Sequence, residues 1–262
     1  MVSEVRKYYD EKAPSYDAQS ELFYFRVYDA VTWRYTEPYV PKSLEAKVLD
    51  AAGGTGKWTI PIAECGSKVV LVDISDEMLD VARKKITEKG LQGRITIRKG
   101  DVQRLDFPDE TFDMVFCDHA LCFIKEQKEV IKELVRVLKT NHPLIISGQN
   151  RYVLALSLMG DMDFATKVLL NEIQFLMSGR LKVYALSPDE FKHLLKENRV
   201  EIEKIIGKGV TMPLIFPLQK PYPKDDAPEF LEKVLRIELA LCDKPDALAL
   251  AGHFQAVGYK KS

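Results

Sequence analysis

The stretch VLDAAGGTGKWT, residues 48–59, decides the fold. Val48 and Leu49 are strand formers, and the run passes straight into Gly53, Gly54 and Gly56, which permit backbone angles and close approaches that a side chain forbids. KWTIPIAECG then continues as a helix, with Pro61 early enough in it to be tolerated. A buried strand, a glycine turn and a helix in succession place a ligand against the backbone amides of the turn.

Working outward, VVLVDIS (69–75) is apolar on both faces, as a central parallel strand is. Ser75 can cap the next helix, Asp76 and Glu77 suit its positive end, and Met78, Leu79, Ala82 and Ile86 repeat on one face. ITIRKGDV (95–102), FDMVFCD (112–118) and PLIISGQN (143–150) read as three further strands, with KEVIKELVRVLK (128–139) a helix between the last two. The alternation then breaks into an apolar segment at 152–177 that is expected to be helical and to need a packing partner. Ser187 and Pro188 read as N-cap and first residue of a helix, followed by the strand VEIEKIIGKGV (200–210). A proline-punctuated stretch at 213–228, a helix around FLEKVLRIELAL and a last strand, HFQAVGYKK, close the chain. That strand follows another without a helical crossover of the usual kind, so antiparallel pairing is expected.

A chain of 262 residues with 46% hydrophobic content suits one α/β domain with insertions. Its 38 basic and 39 acidic residues leave a formal charge of -1, so no global field favours nucleic acid or an anionic membrane. The N-terminus lacks an apolar core of signal-peptide type and no run is long enough to span a bilayer, so a cytoplasmic protein is expected. Cys65, Cys117, Cys122 and Cys242 form no metal-ligand pattern; no metal is expected.

In an open parallel sheet, ligands bind beyond the carboxyl ends of the strands, where strand order reverses. Asp73 ends the second strand, where a carboxylate can accept both hydroxyl protons of a ribose. Asp101 ends the third, where it and the Val102 amide could read an adenine edge. NAD also fits a glycine turn and a ribose acid. Here, however, Gly54, Gly56 and Thr59 give GxGxxT, which lacks the third small residue of the dinucleotide fingerprint.

Taken together, LDAAGGTG, VDISDEMLDVARKK, GDVQRLDFPDETFDMVFC, ELVRVLK and LIIS resemble, in order and spacing, the class I S-adenosylmethionine-dependent methyltransferases. AGGTG and DFPDETFD are similar to the ubiquinone and menaquinone C-methyltransferases. The resemblance covers residues 40–150 well, and 188–210 with the last strand more loosely. It implies a Rossmann-like, doubly wound, mostly parallel seven-stranded sheet with an antiparallel last strand, plus a helical lid and insertions. It divides the single domain 1–262 into a lid (1–40), a cofactor core (41–150), acceptor-site insertions (151–187 and 211–250) and segments completing the sheet (188–210 and 251–262). The cofactor it implies is S-adenosyl-L-methionine, with S-adenosyl-L-homocysteine as product. Asp50 would organise the loop and the methionine amino group. Ala52, Gly53, Gly54 and Gly56 would lie along methionine and ribose, and Asp73 would take the ribose hydroxyls. Ile74 and Met78 would flank the adenine, Asp101 and Val102 would read its edge, Cys117 would offer a carbonyl near the sulfonium, and Tyr16 would reach from the lid. The common family form has glycine at Ala52. LKTNHPLIIS departs from the LKPGG-type turn, and Asn141 is expected to take the left-handed conformation instead.

The obvious catalytic candidates are Asp118 and His119, directly after the fourth strand; either a base or a hydrogen-bonded wall suits His119. The aromatic-rich N-terminus serves as a lid, as an amphipathic helix anchored by Tyr8, Tyr9 and Tyr16, or as both. The apolar 152–177 segment and the proline stretch either roof a small, partly apolar or aromatic acceptor or form a homodimer interface. A nucleic-acid acceptor is disfavoured by the balanced charge. A protein or RNA acceptor and a non-catalytic interaction module stand as alternatives, the last marked by a ruined cofactor site, whereas Gly54, Gly56, Asp73 and Asp101 are intact.

Overall fold

The computed structural model describes residues 2–213 and 228–262. In chain order the elements are α1 (Val2–Lys12), α2 (Phe23–Arg34), β1 (Lys47–Ala51), α3 (Thr59–Glu64), β2 (Lys68–Asp73), α4 (Asp76–Glu88), β3 (Ile95–Lys99), β4 (Met114–Cys117), α5 (Gln127–Val137) and β5 (Pro143–Gln149). Then come α6 (Arg151–Leu156), α7 (Met162–Leu169), β6 (Phe175–Met177), β7 (Leu181–Val183), α8 (Pro188–Glu197), β8 (Val200–Lys208), α9 (Pro228–Leu241) and β9 (His253–Lys260). Short 3₁₀ turns connect several of them.

The seven-stranded sheet has the order β3-β2-β1-β4-β5-β9-β8. The first five strands in that order pair in parallel, and β9 runs antiparallel to both β5 and β8. This is the Rossmann-like sheet expected from the sequence. Chain order reverses between β1 and β4, so a crevice opens beyond their carboxyl ends. Both faces are covered: Val130, Ile131 and Leu134 of α5 and Phe191 and Leu195 of α8 on one, Ile60 and Ile62 of α3 and Leu79, Ala82 and Ile86 of α4 on the other.

Local chemistry explains several element ends. Ser75 accepts from the Met78 amide at 3.1 Å and caps α4. Ser187 and Glu190 form a reciprocal capping box ahead of Pro188. Asn141 has φ +60 as expected, and its amide donates to the Lys260 carbonyl at 2.8 Å.

Two differences from the sequence expectation matter. The 152–177 segment is not continuously helical: α6 and α7 give way to a β6–β7 hairpin. Its turn uses Ser178 (φ +52) and Gly179 (φ +67), and that Ser-Gly pair between short apolar runs was the overlooked signal. Strand β8 carries a bulge between Ile202 and Lys204. The bulge reverses the face taken by later side chains. Lys204 meets the Tyr35 ring, Ile206 packs with Val31, and Lys208 reaches Tyr28 and Thr32, so all three face α2 and its end.

The N-terminal segment lies over the carboxyl ends of the strands. Arg6 of α1 pairs with Asp76 at 2.7 Å, and Asp10 accepts from the Ser75 hydroxyl at 2.6 Å. Asp17 accepts from Thr55 at 2.6 Å and from Lys85 at 2.7 Å, and Asp29 of α2 pairs with Lys57 at 2.6 Å. Among the described residues, no helix is long and apolar enough to cross a membrane. Pro217, Pro221 and Pro223 of the expected roof lie outside the described residues.

Candidate functional site

The glycine turn is built for close approach. A Cβ at Gly53 would stand 2.7 Å from Asp50 Oδ2 and 2.9 Å from Leu71, so no side chain fits there. At Gly54 (φ +53) a Cβ would meet nothing within 4 Å; it would stand in the open crevice instead. Gly56 lies behind the loop, where a Cβ would make ordinary contact with Ala82 of α4 and Leu71 of β2 at 3.5 Å; its φ of +76 is what favours glycine. Ala52 holds φ +58, which is the physical reason glycine is favoured at this position.

Two cavities lie over these strand ends. The first, of about 160 Å³, brings together Asp73, Ile74, Met78, Asp101 and Val102, five of the residues the sequence assigned to a nucleoside. The second, of about 130 Å³, is lined by Asp50 and Gly53 and by the rings of Tyr8, Phe25, Tyr28 and Trp58. Tyr9, Tyr16, Ala52, Gly54, Asp118 and His119 line both, so the cavities abut at those six residues. Of the 152–177 segment, Met177 faces the second cavity; its aromatic lining comes mainly from the N-terminal segment. Cys117 lies in the sheet with its side chain buried, and burial pushes its thiol well above the usual range.

The three strand-end acids differ. Asp50 is buried and accepts from the Thr59 hydroxyl; burial pushes its carboxyl up to about 7. Asp73 accepts from the Gly54 amide at 2.9 Å and, through its other oxygen, from the Ser75 amide at 2.9 Å. Burial raises its pKa, and those amides oppose the shift. The Ile74 amide adds a third backbone contact, and a carboxylate with about four acceptor positions still has room for a ligand hydroxyl. Asp101 accepts from the Gln103 amide at 2.9 Å.

Asp118, one of the two catalytic candidates in the sequence, is held by a network of side chains. Its Oδ1 accepts from Lys208 Nζ at 2.6 Å and from the Tyr28 hydroxyl at 3.0 Å, and its Oδ2 from the Trp58 indole at 3.2 Å. Although burial raises its pKa, the Lys208 ammonium outweighs that and holds the carboxyl far below the usual range. A carboxylate so held is a counter-ion, not a proton acceptor at neutral pH. His119 has φ +55, and its amide donates to Ser147 Oγ at 2.7 Å. Its ring packs edge-on to Phe123 and His253, and burial pushes its pKa down to about 4. At pH 7 it is neutral, offering one N–H donor and one nitrogen acceptor. Nothing in the residue pattern points to Lys208, because the bulge that turns it inward leaves no mark there.

An acid at the second strand end, a second acid at the third, and a glycine whose missing side chain leaves the crevice open form a donor set that fits an adenosine bearing an amino acid. Residues 48–141 match the family model of a methyltransferase domain. Over those residues the chain carries a methyltransferase domain. Relatives of this methyltransferase domain include the ubiquinone/menaquinone biosynthesis C-methyltransferase UbiE of Proteus mirabilis, 30% identical over 57% of this chain and 61% of that protein. The demethylmenaquinone methyltransferase of Lactiplantibacillus plantarum is 31% identical over 54% and 60%. The chain thus spans about three fifths of the length of these curated relatives. Two solved structures share the fold. One is a Haloferax volcanii methyltransferase in complex with the Trm112 methyltransferase activator (TM-score 0.66, 16% identity, 97% of this chain and 98% of that one). The other is the geranyl diphosphate C-methyltransferase of Streptomyces coelicolor in complex with S-adenosyl-L-homocysteine (TM-score 0.60, 12% identity, 88% and 79%).

Proposed function

We propose that the chain is an S-adenosylmethionine-dependent methyltransferase acting on a small acceptor with an aromatic or partly apolar body. The observation that carries this is the abutment of the two cavities at Tyr9, Tyr16, Ala52, Gly54, Asp118 and His119. One cavity has the polar groups for a nucleoside, the other several aromatic rings together with Lys12, Asp29 and Lys57. Asp73 would hold the ribose hydroxyls, Asp101 and the Val102 amide the adenine edge, and Ile74 and Met78 its faces. Asp50 and the loop would hold the amino-acid end. Bound S-adenosylmethionine would supply a methyl group already electrophilic on its sulfonium.

The remaining work belongs to the chain. Tyr9, Tyr16, Tyr28 and Trp58 exclude water and limit the acceptor's orientations; alignment of this kind can recover roughly 7–11 kcal/mol of barrier. His119, neutral and facing both cavities, would hydrogen-bond the acceptor's nucleophilic atom and receive its proton where one must leave. General-base help of that sort is typically worth about 10²–10⁴ in rate.

Calorimetric titration with S-adenosylmethionine, S-adenosylhomocysteine and NAD tests the cofactor half. Saturable binding of the first two and not of NAD is expected; NAD binding alone would overturn the proposal. With labelled methyl donor, a panel of aromatic amines, phenols, thiols and quinols tests the acceptor half. Label transferred to a protein or RNA and to no small molecule would sink the small-acceptor assignment.

A further inference from the structure

The wall between the two cavities contains a charge pair that neither nucleoside binding nor acceptor alignment accounts for. The side chains of Lys208 and Asp118 are 0% and 7% exposed and sit 2.6 Å apart. A buried pair of this kind contributes little net stability compared with apolar residues of the same volume, so its presence calls for another explanation. The pair is oriented. Asp118 lines both cavities, whereas Lys208 reaches it from behind, across Tyr28 and Thr32 at 2.7 and 3.2 Å. Oδ1 is held by Lys208 and Tyr28 and Oδ2 takes the neutral Trp58 donor, with the Ser147 hydroxyl also bonded to the carboxyl. Lys57, which lines the second cavity, is answered by Asp29 at 2.6 Å; Lys12 lines the same cavity and Lys125 the first. The negative end of the pair therefore stands at the junction of the cavities.

Resting on the methyltransferase proposal above, we propose that Asp118 is the counter-ion by which this chain discriminates the cationic methyl donor from its product, with Lys208 as the positioning residue that keeps the carboxylate at the junction. S-adenosylmethionine and S-adenosylhomocysteine share nucleoside, ammonium and carboxylate; they differ by one methyl group and one positive charge on sulfur. A carboxylate at the junction strengthens binding of the donor and leaves the product almost untouched. Departure of the product after transfer is favoured in the same way.

The test is calorimetric titration of both ligands into the full chain and into Asp118→Asn/Lys208→Met, which removes both charges together and leaves neither buried alone. Binding of S-adenosylmethionine is expected to weaken about tenfold, with that of S-adenosylhomocysteine changed by no more than about twofold. Equal weakening of both, or an unchanged ratio, would overturn the assignment. A wild-type chain that binds neither ligand removes the methyltransferase proposal and this one with it. If thermal melts show the double variant unfolded at the titration temperature, Asp118→Asn alone carries the same comparison, and the ratio must fall there too.

Discussion

Asp73 and Asp118 both stand at strand ends and both line the first cavity, yet they are held in opposite ways. Asp73 takes the Gly54 and Ser75 amides, backbone groups fixed by the glycine turn and the start of α4. Asp118 takes Tyr28, Trp58 and Lys208, side chains 90, 60 and 90 residues away. The first acid is placed by local backbone geometry, the second by the assembly of α2, β8 and the turn before α3. Substitutions at the two should therefore fail differently, Asp73 in ligand affinity and the Asp118 hub in stability.

The largest effect is expected at the hub. Lys208→Met leaves Asp118 buried with neutral donors, a loss of about 3–5 kcal/mol in the stability read from denaturant midpoints. A loss below about 1 kcal/mol would show that Tyr28 and Trp58 alone hold the carboxylate, and would dissolve the contrast. Next comes Asp73→Ala, for which the S-adenosylhomocysteine dissociation constant should rise about 100-fold. Stability should fall by only about 1–3 kcal/mol as two amides lose their acceptor. Unchanged affinity would mean the ribose does not lie there.

His119 separates the two regions through pH. Its pKa falls from the ordinary 6.5 to about 4 in the fold, so between those values the unfolded chain binds the extra proton. Stability from this group is complete above pH 6.5 and is lost as pH falls toward 4. Asp50, raised to about 7, acts in the opposite sense over part of that window, so the variant must be compared with wild type at each pH. His119→Asn keeps a residue that tolerates φ +55 and should lose less melting temperature than wild type between pH 7 and 5, while cofactor affinity stays within about twofold. Equal acid sensitivity would show that the imidazole titrates normally through the open cavity.

The contrast also marks what was legible in the sequence. Strand alternation, the glycine turn, the Ser187 N-cap with Pro188 after it and the left-handed Asn141 are encoded within a few residues, and the fold shows each of them. The acids at the ends of β2 and β3 were legible for the same reason, since each follows a strand whose neighbours are near in sequence. Lys208 was not, because whether it faces solvent or α2 depends on a bulge and on a helix 180 residues earlier. The pairing of Asp118 inherits that opacity, and so the carboxylate was legible while its partner was not. The β6–β7 hairpin was missed for a smaller reason: strands of three residues are too short for alternation to outweigh an apolar composition that reads as helix.

The smallest effect belongs to Ala52, where sequence and backbone disagree most locally. Holding alanine at φ +58 costs about 1–2 kcal/mol relative to glycine. Ala52→Gly recovers that strain but gives back about 0.4–1 kcal/mol through the freer unfolded chain, and it also loses a methyl group partly packed on the core. The sum is a gain below about 1 kcal/mol, a rise of roughly 1–3 °C in melting temperature for a chain of this size. A fall instead would show that the Ala52 methyl contributes more to packing than its backbone costs. Because Ala52 lines both cavities, a cofactor affinity that changed while stability held would place the alanine among the residues that shape the ligand. Either result would separate a backbone cost tolerated by the fold from one kept for binding.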